Sequence, residues 1–98
     1  MTIDSLSVIR DAFARLHDGG VLEAKIAVTP ATVLLGTGSS LDSLGFVSVM
    51  SEIEDRLTAA TGREVALLFD EIHAFNPDKS SLTVGTLSRF IDHLLTEA

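Results

Sequence analysis

The chain has 98 residues, enough for one domain around one modest core, and it contains no cysteine, which excludes disulfides, thiolate metal sites and a cysteine nucleophile. Seven Lys and Arg stand against fourteen Asp and Glu, a formal charge of −7; this repels nucleic-acid phosphates and anionic membranes and attracts basic partners. With 5% aromatic residues and neither Trp nor Tyr, the core is expected to be aliphatic, and so small a domain has little volume for an enclosed active site. The first ten residues include Asp4 and no long apolar run, so no signal peptide is expected. No stretch reaches about 18 apolar residues, so no membrane span and a cytoplasmic location are expected.

In chain order, Leu6, Ile9, Phe13 and Leu16 follow helical spacing, with Val8 and Ala12 beside them, and predict an amphipathic helix over residues 3–17. Thr2 or Asp4 suits its start, and Asp18-Gly19-Gly20 ends it. Residues 21–41 form a long connection with Pro30, Gly36 and Gly38; its recurring apolar residues predict that it packs on the core. A short helical turn is expected near 21–24 or 31–34. A second helix is predicted from Asp42 or Ser43 to about Leu57, with Asp42 as N-cap. Phe46, Met50, Ile53 and Leu57 make its buried stripe, Val49 lies at the edge, and Leu44, Val47 and Ser51 lie on a neighbouring face. Thr61-Gly62 breaks the pattern. A shorter helical piece follows over 65–75, then a turn at Asn76-Pro77-Asp78. Thr83 caps a last helix over 84–95. The sum is an all-α bundle, one domain over 1–98, with three main helices and one short one.

One segment concentrates chemistry: Gly38-Ser39-Ser40-Leu41-Asp42-Ser43-Leu44-Gly45. It sets a serine at a helix N-terminus behind a Gly/Ser loop, exposed to another enzyme and beside backbone amides that favour a phosphate. Asp42-Ser43-Leu44, placed behind one long helix and one long loop, resembles the attachment motif of acyl carrier proteins. Thr83-Val84-Gly85-Thr86-Leu87 resembles the threonine-valine segment opening that family's last helix, and Glu52-Ile53-Glu54-Asp55-Arg56-Leu57 resembles its acidic second helix. The resemblance spans nearly the whole chain, about residues 3–95.

The resemblance implies a monomeric four-helix carrier, not an enzyme. Its Ser43 would receive a covalent phosphopantetheine arm from coenzyme A, through a phosphopantetheinyl transferase. The arm would supply the thiol this chain lacks and hold acyl or aminoacyl groups as thioesters. Asp42 would help position Ser43 and its transferase, and Leu44 would complete the attachment motif on the other side. Leu44 and Val47 would be apolar contacts, and Glu54 and Asp55 acidic contacts, for basic patches on loading ligases and acyl-processing enzymes. Gly45 and Ser48 stand where carriers of fatty acid synthesis usually have acids, Leu41 precedes the motif, and residues 63–81 are longer than usual. These departures fit a specialised lipid, polyketide or aminoacyl pathway.

Other readings are weaker. Asp42-Ser43-Leu44 also suggests GDSL hydrolases, but these need a parallel sheet, a positioned base and a glycine where Leu41 stands. His17, His73 and His93 show no ligand spacing and read as solvated helix positions, His17 favourably near a helix C-terminus. Gly36-Thr37-Gly38 lacks the lysine of a nucleotide-phosphate loop. Phe46, Met50 and Phe75 read as core. The competing class is an acidic helical adaptor that is never modified and binds through the same face.

Overall fold

In a computed structural model, which describes residues 3–22, 26–36, 38–39, 41–76 and 81–96, the chain is mostly helical, with four helices and one small sheet. Helix α1 spans Ser5–Asp18, strand β1 Val33–Gly36, α2 Ser43–Thr61, α3 Phe69–Phe75, β2 Ser81–Thr83 and α4 Val84–Thr96. The sheet, outside the all-α expectation, is a single antiparallel pair, β1 with β2.

α1 forms where the apolar period predicted it. Ile9, Ala12, Phe13 and Leu16 are buried, and Asp4 precedes the helix in extended conformation. Gly20 takes φ 81°, so the amides of Gly20, Val21 and Leu22 fold back onto carbonyls of the last turn. A side chain there would meet the left-handed penalty that glycine avoids. α1 packs against α2 and α4. Ile9, Phe13, Val49, Ile53, Leu57, Leu87 and Ile91 fill the space between them, all 3% exposed or less. Val49, expected at the edge of the α2 stripe, is fully buried. At one end of this core the buried Ser5 hydroxyl sits 2.6 Å from the Ser88 hydroxyl, tying α1 to α4.

The long connection packs onto the core, as its apolar residues required, but not as a helical turn at 31–34. Thr29 and Thr32 close a turn instead: the Thr32 hydroxyl accepts the Thr29 amide at 3.0 Å and donates to the Ala27 carbonyl at 2.9 Å. Beyond it the β-branched Val33 opens β1 opposite Thr83. The pairing runs Val33↔Thr83, Leu35↔Leu82 and Gly36↔Ser81, with an irregularity between Val33 and Leu35. Val84 and Gly85 then donate their amides to the carbonyls of Thr32 and Pro30, at 2.8 and 2.9 Å. The loop is thereby stitched to the start of α4. Residues 23 and 24 of the other expected turn, at 21–24, lie outside the described residues, as do Thr37, Ser40 and the Pro77-Asp78 part of the expected turn after Asn76.

α2 continues four residues past its expected end, to Thr61, where Gly62 caps it at φ 73°. The third helix is shorter than expected: residues 65–68 are non-helical and α3 begins at Phe69. The reason lies in α2. The Thr58 hydroxyl accepts the Val65 amide at 3.1 Å and the Glu54 carboxylate accepts the Leu67 amide at 2.6 Å, so those amides have acceptors without a helical turn. α4 starts where predicted, with the Thr83 hydroxyl accepting the Thr86 amide at 3.3 Å.

Candidate functional site at the start of the second helix

The approach to α2 is built from the loop side. Ser39 donates its hydroxyl to the Leu34 carbonyl at 2.8 Å and accepts the Leu41 amide at 3.1 Å. These bonds tie the last loop residues to β1, whose Leu34 is buried. Asp42 follows in extended conformation, φ −82° and ψ 179°. Its carboxylate accepts the Gly45 amide at 2.6 Å, and its carbonyl accepts the Phe46 amide at 2.9 Å. This is an N-cap: an oxygen satisfies an amide that has no helical acceptor.

Ser43 is the first helical residue and is exposed. With Asp42 bound to the third amide, the first two amides of α2, which have no acceptor within the helix, stand at its positive dipole end. A phosphodiester on the Ser43 oxygen therefore fits the donor set: it would meet backbone N–H groups and open solvent. The residues present suit the arm that the resemblance implies.

Gly45, marked in the sequence only as a departure from the carrier pattern, shapes the site. A Cβ at this position would stand 3.1 Å from the Asp42 carboxylate oxygen, 3.4 Å from Leu22 and 3.5 Å from Leu41. The absence of a side chain lets the loop close over the first turn and keeps the cap short. The sequence signal was present, a glycine three residues after a cap, but only the neighbours explain it.

The remaining candidate residues divide. Leu44 and Val47 are 73% and 58% exposed on the outer side of α2, available for contact. Asp55 is exposed as well. Glu54 is half-buried, and its carboxylate is committed to the Leu67 amide at 2.6 Å. Glu52 is turned to α1, with Arg15 of that helix and Arg56 of its own 3.5 and 3.0 Å from its oxygens. No charged side chain lies between Ser43 and Ser51.

Beside this turn, Phe46 is half-buried and meets Phe69 of α3 edge-on, ring centroids 6.4 Å apart at 85°. Phe69 in turn stacks on His73 at 6.3 Å. Of the three expected core residues, Met50 is buried, Phe46 is partly so, and Phe75 is 36% exposed while packing against Phe90 and His93. A small cleft of about 180 Å³ lies between β1, α3 and β2, lined by Leu35, Phe69, Ile72, His73, Asn76 and Leu82. His17 sits in the last turn of α1, 3.8 Å from the Asp18 carboxylate. Among the described residues no helix is long and apolar enough to cross a membrane. No family model, curated protein or solved structure matches this chain.

Proposed function

We propose that this chain is a carrier protein of the acyl-carrier type, holding acyl or aminoacyl intermediates on a phosphopantetheine arm attached to Ser43. The observation that carries the reading is the placement of Ser43: an exposed residue at the first position of a capped helix, beside the first backbone amides of that helix. The Asp42 cap and the Ser39 bonds support it, because they fix the backbone that presents the hydroxyl. The four-helix arrangement is compatible with a carrier bundle, and the β1–β2 pair adds to it by pinning the loop that leads to Ser43.

In this reading the arm supplies a terminal thiol to a chain without cysteine. Attachment forms a bond from the Ser43 Oγ to the phosphorus of coenzyme A as the pyrophosphate linkage breaks. The adenosine bisphosphate half leaves, and the hydroxyl proton passes to a base on the transferase. Asp42 holds the first turn, and Leu44 offers an apolar contact directly beside the modified oxygen. Tethering keeps cargo at high effective concentration near each enzyme that docks. The chain itself performs no catalysis; its partners are a phosphopantetheinyl transferase, a loading ligase and acyl-processing enzymes with basic faces. The departures at Gly45, Ser48 and Leu41 favour a specialised lipid, polyketide or aminoacyl pathway in the cytoplasm over housekeeping fatty acid synthesis.

The test is direct. Purified protein is incubated with coenzyme A and a promiscuous phosphopantetheinyl transferase, then weighed by mass spectrometry. A carrier gains the mass of one arm and Ser43→Ala gains none. No gain with several transferases refutes the reading and leaves the unmodified adaptor, which would bind a partner through Leu44, Val47 and the acidic face.

A further inference from the structure

We propose that Gly85, in the first turn of α4, is a positioning residue for arm attachment, acting on Ser43 through the Thr29–Thr32 turn, β1 and Ser39. The inference rests on the carrier reading and adds a control point outside the helix that bears the serine. A Cβ on Gly85 would stand 3.0 Å from the Pro30 carbonyl oxygen and 3.3 Å from the Pro30 Cβ. Any side chain at this position therefore pushes on Pro30, and packed groups hand such strain to their neighbours. Pro30 is badly placed to yield alone. Its ring fixes φ, and Thr29 and Thr32 close around it. The Thr32 amide donates to the Thr29 carbonyl and the Thr29 amide to the Thr32 hydroxyl, both at 3.0 Å. The Pro30 and Thr32 carbonyls in turn accept the Gly85 and Val84 amides at 2.9 and 2.8 Å, and Val33 pairs with Thr83. The turn and β1 thus ride on the start of α4 as one piece.

From β1 the connection continues through one side chain. Ser39 donates its hydroxyl to the Leu34 carbonyl at 2.8 Å and its amide to the Gly36 carbonyl at 3.2 Å. The same hydroxyl accepts the Leu41 amide at 3.1 Å. Asp42 comes next and caps the turn that begins with Ser43. Leu34 is 1% exposed, so breaking its bond to Ser39 strands a buried carbonyl. A displaced β1 therefore draws Ser39 with it. A series of bonded groups of this kind is a physical route by which a shift at one end reaches the other. Gly85, bare at its Cα, keeps that series in register with the first turn of α2.

The experiment measures kcat and KM for arm transfer to intact protein, with a promiscuous phosphopantetheinyl transferase and excess coenzyme A, at a temperature where circular dichroism melts show the variants folded. Gly85→Ala and Gly85→Val are expected to lower kcat by about threefold and tenfold, with KM for the carrier changed far less, because a misplaced reacting group acts on the chemical step. Ser39→Ala is expected to match Gly85→Val, and Ser39→Thr, which keeps the hydroxyl, to restore the rate. Ser39→Ala combined with Gly85→Val should be no slower than the slower single variant, because both changes interrupt one path. Ile9→Val loosens the packing of α1 away from this path; it should lower the melting midpoint and leave kcat at the wild-type value. If Gly85→Val does not fold, Gly85→Ala carries the test, with movement of the Leu41 amide resonance as its second readout. Wild-type kcat in the folded Gly85 variants, or single effects that multiply in the double variant, overturns the inference and leaves the carrier reading standing. If several transferases fail to load the wild type, the carrier reading falls and this inference falls with it.

Discussion

Replacing Asp42 separates what its side chain does as a hydrogen-bond acceptor from what it does as a charge. Its oxygen lies 2.6 Å from the amide of Gly45, a buried residue. Asp42→Ala orphans that amide, and loss of an N-cap costs about 0.5–2 kcal/mol. It also removes a negative charge from the positive end of α2, a further 0.3–1 kcal/mol or so. Asp42→Asn keeps the acceptor and loses only the charge. Alanine is thus expected to destabilise by about 1–3 kcal/mol and asparagine by only about 0.3–1 kcal/mol. For a domain of this size about 1 kcal/mol moves the midpoint by roughly 4–8 °C, so thermal unfolding followed by circular dichroism resolves the two. Arm transfer should follow the same order, wild type and Asn ahead of Ala, because the cap fixes the backbone of Ser43. Equal melting of the alanine and asparagine variants would refute the reasoning, since the cap bond would then contribute nothing beyond charge. A melt of alanine indistinguishable from wild type would refute both contributions.

Other substitutions test the supports around the site. Glu54→Ala leaves the Leu67 amide without its charged acceptor and should destabilise by about 1.5–3 kcal/mol; urea unfolding gives the size, and faster hydrogen exchange at Leu67 locates the effect. Gly85 abuts the loop, with a Cβ there 3.0 Å from the Pro30 carbonyl oxygen. Gly85→Ala should therefore fail to deliver the gain of about 0.5–1 kcal/mol usual for such a change in a helix, and Gly85→Val should cost about 1–3 kcal/mol, both read from thermal melts. The Ser7 hydroxyl donates to the Asp4 carboxylate at 2.8 Å, and this bond, helped by backbone amides, holds the Asp4 pKa below its ordinary 3.8. A lowered folded-state pKa gives a contribution that is present above the unfolded value and is lost as pH falls through the folded one. Ser7→Ala should raise the Asp4 pKa toward 3.8, measured by carboxyl-carbon NMR titration.

The helices were legible in the sequence wherever one apolar stripe met a clear stop. Leu6, Ile9, Phe13 and Leu16 marked α1, and Gly19-Gly20 its end; Thr83 marked the start of α4. What escaped were segments whose backbone bonds go to side chains or to distant strands. Residues 65–68 have a helix-compatible composition, but α2 satisfies the amides of Val65 and Leu67 through Thr58 and Glu54, acceptors 7 and 13 residues away. Val33 to Gly36 pairs with Ser81 to Thr83 across nearly half the chain. No local period encodes such a partner, and a two-strand pair leaves only three or four residues of pattern to find.

The same physics explains which parts of the candidate site could be read. Asp42 and Ser43 act through their own helix, so their roles follow from position: a carboxylate before the first turn caps it, and a residue in that turn is open to solvent. Glu54 acts through a different segment. The resemblance made it an expected contact for partners, and on a helical wheel it sits beside Val47, near the outward face. Yet an acceptor facing an extended chain with bare amides makes the stronger, shorter bond, at 2.6 Å. A carboxylate engaged in that way is less free to meet a partner's lysine, because docking would have to break an existing charged hydrogen bond before making a new one. That commitment is visible only once the fold sets residues 65–67 along α2.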